Sequence, residues 1–192
     1  AKQGPEALRI LGGLLGLPNA VTAGWGDYDD DGDADLFIGG YGQPPPEPAE
    51  LNHGPLLYQN NGGLMFTDVS ESLNLSADTA VEHDGVAWGD YDDDGDLDVL
   101  VGSGGGYPML YRRDPSGFLE VAEDAGLHIE FSAGRGVNWC DYDGDNLLDA
   151  FCSNIFGRGY LLHNDAHGTF TEVAASSGLS PCNYGLSAAW GD

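Results

Sequence analysis

The stretch Asp90-Tyr91-Asp92-Asp93-Asp94-Gly95-Asp96-Leu97-Asp98 crowds six carboxylates into nine residues. Each neighbouring pair about 4 Å apart repels by about 1 kcal/mol in water and about 4 kcal/mol at a protein surface. A fixed loop of this composition therefore calls for a bound cation. The acids at positions 1, 3, 5 and 9 (Asp90, Asp92, Asp94, Asp98), with Gly95 at position 6 for a sharp reversal and a carbonyl at position 7, match the oxygen cage of calcium. Magnesium, with its strict octahedron and retained waters, suits the pattern less well.

The loop resembles the start of an EF-hand but lacks two of its parts. Position 12, where an EF-hand has a bidentate Glu, is Val101. The flanks Val86-Ala87-Trp88 and Leu97-Asp98-Val99-Leu100-Val101 are apolar, partly β-branched and bounded by glycines, so they read as strands. The expected structure is a calcium-filled turn between two β-strands.

This block recurs. Asp27 opens a second copy and Asp141 a third, Asp192 stands where a fourth would begin, and the spacings are 63, 51 and 51 residues. All four tryptophans (Trp25, Trp88, Trp139, Trp190) stand two residues before these aspartates. Later landmarks repeat too. Leu56-Leu57-Tyr58, Met109-Leu110-Tyr111 and Leu161-Leu162-His163 read as one strand. Phe66-Thr67-Asp68-Val69, Phe118-Leu119-Glu120-Val121 and Phe170-Thr171-Glu172-Val173 read as another, with half-buried alternation. A unit ends at Leu75, Leu127 or Leu179.

Strand, acidic loop, strand, strand, turn, strand makes a four-stranded antiparallel sheet, and such sheets repeated at this length predict an all-β propeller fragment. Blades are expected at about 20–75, 84–127 and 135–179, with the first strand of another at 184–192, and the Trp-bearing strand innermost. Residues 1–19 form an N-terminal segment or the tail of a preceding blade. Pro5 to Leu11 fits a helical turn, whereas Gly16-Leu17 matches the Gly-Leu blade ending. Three blades do not close a ring, so other chains or further blades of the same protein are expected as partners. With no initiator Met and a last residue inside a motif, the sequence reads as part of a longer or processed protein.

The net charge is −26, with Lys2 and five arginines as the only fixed cations, which argues against partners among nucleic acids and anionic membrane surfaces. No apolar run reaches the length of a membrane span. Half of the 32 acids lie in the three loops, so the acidity is largely a metal-binding trait.

The Trp-Gly-Asp-Tyr-Asp-Asp-Asp-Gly-Asp block, the Leu-Tyr-x-Asn-x-Gly that follows it, the Phe-Thr-Asp/Glu-Val strand and the Gly-Leu ending together resemble the FG-GAP/VCBS repeat. That repeat occurs in integrin α-subunit propellers and in secreted proteins of the cartilage acidic protein type. The resemblance implies a β-propeller, extracellular placement, and calcium in the loop between the first two strands of a blade. Carried over by position, the side-chain ligands would be Asp27, Asp29, Asp31 and Asp35; Asp90, Asp92, Asp94 and Asp98; and Asp141, Asp143, Asp145 and Asp149. Asp33, Asp96 and Leu147 would contribute backbone carbonyls. Asn146 replaces the position-6 glycine of the third loop and is expected to tolerate a left-handed backbone, with a somewhat weaker site.

Other residues read as ordinary. Tyr28, Tyr91 and Tyr142 cover the metal or pack on neighbouring blades. His163 and His167 are read as surface histidines on a turn, and His53, His83 and His128 as isolated. Cys152 reads as a buried thiol, with pairing to Cys140 on the same hairpin as the alternative, and Cys182 is unassigned. The insertion from Gln43 to Glu50 reads as a stiff Pro-rich loop. Asn74-Leu75-Ser76 is a glycosylation sequon. No HExxH, GxSxG or GxxxxGK[ST] motif is present. Two functions follow: a calcium-stabilised extracellular module for protein or glycan recognition, adhesion or assembly, and, second, the propeller portion of a secreted carbohydrate-active or hydrolytic enzyme.

Overall fold

The structure, a computed structural model, describes residues 20–40, 55–63, 65–75, 83–127, 135–179, 185 and 187–191. The expected N-terminal turn, the Pro-rich insertion, His53, His128, Cys182 and Asp192 lie outside them.

Twelve strands form three sheets. The first contains β1 (Ala20–Gly26), β2 (Asp35–Gly40), β3 (Leu56–Asn60) and β4 (Phe66–Asp68). The second contains β5 (His83–Gly89), β6 (Asp98–Ser103), β7 (Met109–Asp114) and β8 (Gly117–Glu120). The third contains β9 (Val137–Cys140), β10 (Asp149–Cys152), β11 (Tyr160–Asn164) and β12 (Phe170–Glu172). Each is antiparallel and ordered as its strands occur in the chain. The fold is all-β, built from propeller blades, with no helix among the described residues.

The core lies between blades, which explains why the second strands read as unbroken apolar runs. All six residues of β2 and all six of β6 are buried. One cluster joins Tyr28, Phe37, Leu57 and Leu75 to Val99, Val101, Tyr111 and Phe118 across the first seam. Another joins Tyr91, Leu100, Leu110 and Leu127 to Val137, Ala150, Leu162 and Phe170 across the second. Strands β1, β5 and β9 lie beside one another, as expected of the innermost strands.

The Trp-Gly pair now has a physical reason. A Cβ on Gly26 would lie 2.6 Å from the Trp88 ring, and one on Gly89 would lie 2.8 Å from Trp139. Trp88 and Trp139 thus each lie on the glycine of the blade before, where any side chain would clash. Trp139 also donates its indole N–H to the Ala87 carbonyl at 3.2 Å, and Trp88 meets Phe37 edge-on at 6.0 Å.

A second joint links blade endings. The Leu73 carbonyl accepts the N–H of Phe118 at 2.7 Å, and the Ala125 carbonyl accepts that of Phe170 at 2.9 Å. The residue before each terminal leucine is left-handed: Asn74 at φ 59°, Gly126 at 78° and Gly178 at 77°. Asn74 therefore occupies a glycine position, and its amide also donates to the Ser116 carbonyl of the next blade at 3.1 Å.

Several sequence expectations need correction. In the third blade the counterpart of Leu56-Leu57-Tyr58 is Tyr160-Leu161-Leu162, one residue earlier than the sequence alignment placed it. Leu162 pairs with Ala150 as Tyr58 pairs with Leu36. That slip moves His163 to the opposite face of its strand. His83 is not isolated but buried at the first seam, its Nδ1 3.1 Å from the Gly40 carbonyl. Cys140 and Cys152 do not pair with each other: Cys140 faces Asp149 and Cys152 faces Val137, at opposite ends of the strand pair. Burial pushes the Cys152 thiol up to about 12.

Candidate metal centre

Each acidic loop joins the first and second strands of its blade, and the three are folded by the same hydrogen bonds. The position-1 carboxylate folds over the turn. Asp27 accepts the N–H groups of Asp31 and Gly32 at 3.1 and 3.0 Å, Asp90 those of Asp94 and Gly95 at 3.1 and 3.0 Å, and Asp141 those of Asp145 and Asn146 at 3.1 and 2.9 Å. The position-5 carboxylate accepts the position-7 N–H: Asp33 to Asp31 at 2.8 Å, Asp96 to Asp94 at 2.9 Å, and Leu147 to Asp145 at 2.9 Å.

The turn has left-handed residues at positions 4 and 6. These are Asp30 (φ 57°) and Gly32 (92°), Asp93 (58°) and Gly95 (95°), then Gly144 (82°) and Asn146 (71°). The third loop thus exchanges the two residue types, its glycine offsetting the strain of Asn146. Asp, Asn and Gly are the residues that tolerate this conformation, so the requirement at position 4 was visible in the sequence but went unread.

Position 9 differs from the other acids. Asp35, Asp98 and Asp149 are fully buried. One oxygen of each accepts the N–H of the loop tyrosine: Tyr28 at 3.1 Å, Tyr91 at 3.2 Å and Tyr142 at 3.1 Å. The other accepts an N–H from the third strand: Asn60 at 2.7 Å, Arg113 at 2.8 Å and Asn164 at 2.8 Å. This carboxylate clamps loop to sheet. Burial is the main cause that pushes Asp35 up to about 6 and Asp98 up to about 7, with smaller contributions from the acids at positions 3 and 5. Asp149 is raised by burial as well.

Positions 1, 3 and 5 converge. One carboxylate oxygen from each of Asp27, Asp29 and Asp31 lies within 4.8 Å of the others, and the same holds for Asp90, Asp92 and Asp94 and for Asp141, Asp143 and Asp145. Asp92 Oδ1 is buried with no hydrogen-bond partner, and burial raises the Asp92 carboxyl. An orphaned buried carboxylate oxygen within a trio of hard oxygen donors fits a hard divalent cation.

The family assignment follows from the repeats. The FG-GAP-like repeat profile matches residues 27–101 and again 90–152, spans that begin on the first aspartate of a loop. The chain belongs to the FG-GAP-like repeat family. Among curated proteins it is similar to cartilage acidic protein 1 of Mus musculus, 38% identical over 74 residues, which is 38% of this chain and 11% of that protein. Cartilage acidic protein 1 of Homo sapiens is 36% identical over 74 residues, also 38% of this chain and 11% of that protein. That of Xenopus tropicalis is 32% identical over 111 residues, 56% of this chain and 17% of that protein. The chain thus spans a small part of the length of these relatives.

In this FG-GAP chain, sequence reading missed the third-strand residues that face the loops. Gln59 donates its amide to Asp29. Burial raises the Asp92 carboxyl, and the positive charge of Arg112 partly offsets that rise. His163 Nδ1 stands 3.4 Å from Asp143 and 3.3 Å from Asp149. Aligning the first and third blades on Asn60 and Asn164 would have found His163. The tyrosines seal the seams: Tyr28 packs on Phe118, and Tyr91 stacks on Trp139 with an interplanar angle of 3°.

Proposed function

We propose that this chain is a calcium-stabilised, extracellular β-propeller module that recognises or assembles with other proteins or glycans rather than a catalyst. The observation that carries the reading is the carboxylate trio at positions 1, 3 and 5, built three times with the same hydrogen bonds. Calcium in each loop would be held by those carboxylates, with the position-9 aspartate and the position-7 carbonyl of Asp33, Asp96 or Leu147 completing the cage.

Placement outside the cell is supported by the relatives, whose name refers to cartilage, and by the millimolar calcium that extracellular modules of this kind require. No helix among the described residues is long and apolar enough to cross a membrane. The apolar face of the third blade supports assembly with further blades or other chains. Leu179 is 46% exposed there, whereas its counterparts Leu75 and Leu127 are buried. Asn74 of the sequon is exposed in a left-handed turn, and a glycan there would be carried by the Nδ2 atom that donates to the Ser116 carbonyl of the next blade.

Equilibrium calcium binding to the native polypeptide tests the reading. Uptake in the millimolar range or tighter, with EGTA sharply lowering the unfolding temperature, is expected. No uptake and no change with chelator would refute it.

A further inference from the structure

The three loops share their backbone but not the side chain that leans over them from the third strand. At one and the same register stand Gln59, Arg112 and His163. Gln59 brings an amide donor to Asp29 and Arg112 brings a fixed positive charge to Asp92. Of the three, His163 offers a nitrogen lone pair.

The His163 Nδ1 atom is buried and has no hydrogen-bond partner. It points at two carboxylates from two other elements, Asp143 of the loop at 3.4 Å and Asp149 of β10 at 3.3 Å. The three donor atoms lie within 4.8 Å of one another. With bonds of about 2.0–2.2 Å to imidazole nitrogen and carboxylate oxygen, neighbouring donors of a tetrahedral zinc ion lie about 3.3–3.5 Å apart. Both separations from Nδ1 fall in that range. The Tyr142 and Asn164 N–H groups hold the buried Asp149 carboxylate in place, as outer-shell hydrogen bonds do for metal ligands.

Calcium takes oxygen donors and gains little from imidazole, whereas borderline divalent ions favour it. We propose that the third loop is a mixed nitrogen and oxygen site that takes Zn2+ in preference to calcium, with His163 Nδ1, Asp143 and Asp149 as ligands. This rests on the reading that the loops hold divalent cations and concerns which cation the third one selects. The first two loops have no such nitrogen among the described residues and stay with calcium.

The test is titration of the native, calcium-saturated polypeptide with Zn2+ alone, followed by calorimetry and by the imidazole nitrogen resonances. One equivalent of zinc is expected to bind, release one calcium and shift the His163 Nδ1 signal. H163Q installs the residue that the first loop already uses, and is expected to lose at least about tenfold in zinc affinity while the other loops keep their calcium. Zinc affinity unchanged in H163Q, or an unmoved His163 signal on zinc binding, would overturn the zinc assignment and leave the calcium reading standing. Absence of any divalent uptake would instead remove the reading beneath it. If H163Q fails to fold, the wild-type His163 signal decides.

Discussion

Asp98→Asn isolates what the buried carboxylate does with and without its cation. In wild type, Asp98 has no exposed surface, accepts the N–H groups of Arg113 and Tyr91, and is pushed up to about 7. Keeping it ionised near neutral pH without metal costs on the order of 4 kcal/mol, at about 1.4 kcal/mol per pH unit. Asparagine has the same shape and needs no ionisation. It keeps one acceptor and leaves one buried N–H facing an amide group, a loss of about 1–3 kcal/mol. In excess EGTA the relief of the ionisation cost outweighs the lost hydrogen bond, and D98N is expected to be about 1–3 kcal/mol more stable than wild type near neutral pH. In saturating calcium the cation neutralises the carboxylate, so D98N is expected to be at least about 2 kcal/mol less favourable relative to wild type than in EGTA, equivalent to roughly 30-fold in calcium affinity. Urea unfolding followed by tryptophan fluorescence measures both. The pH dependence has a definite sign. The folded carboxyl binds its proton more tightly than the unfolded one, so without metal its contribution falls as pH rises from about 4 to about 7, and D98N flattens that fall. An equal effect of the substitution with and without calcium would refute the reasoning.

Other outcomes follow from the same geometry. Asp92→Ala removes the acid whose Oδ1 is buried and orphaned; calcium stoichiometry is expected to drop by one site, and an unchanged stoichiometry would exclude Asp92 as a ligand. Gly89→Ala forces a methyl to 2.8 Å from both Leu148 and Trp139, so a loss of about 1–3 kcal/mol is expected by chemical denaturation; a change within experimental scatter would mean the seam is looser than described. Leu127→Ala empties a fully buried position at the second seam, with an expected loss of about 2–5 kcal/mol in the same assay.

Much of this fold was legible because a repeat is read several times over. Tryptophans two residues before each loop gave the unit, and the apolar runs after the loops gave strands with both faces covered. Those same runs hid the register of β11. Leu161 and Leu162 are both buried, so hydrophobicity does not say which of them faces which blade. The register comes instead from the Asp149 to Asn164 hydrogen bond, a contact between residues fifteen apart in the chain. His163 was misread for that reason. The aspartates posed a similar difficulty. Positions 1, 3, 5 and 9 look alike in sequence, and only burial separates the trio on the turn from the clamp beneath it. Cysteine pairing failed on geometry, since two residues on adjacent strands pair only where the ladder puts them opposite.

The tryptophan-on-glycine joint has a front and a back. Trp88 and Trp139 each reach toward the blade before their own, and Gly26 and Gly89 each receive from the blade after. A contact made this way is head-to-tail, so two copies meeting through it present unlike faces and leave one donor and one acceptor end free. Such a chain has two outlets: to curl until its ends meet, or to propagate as a filament.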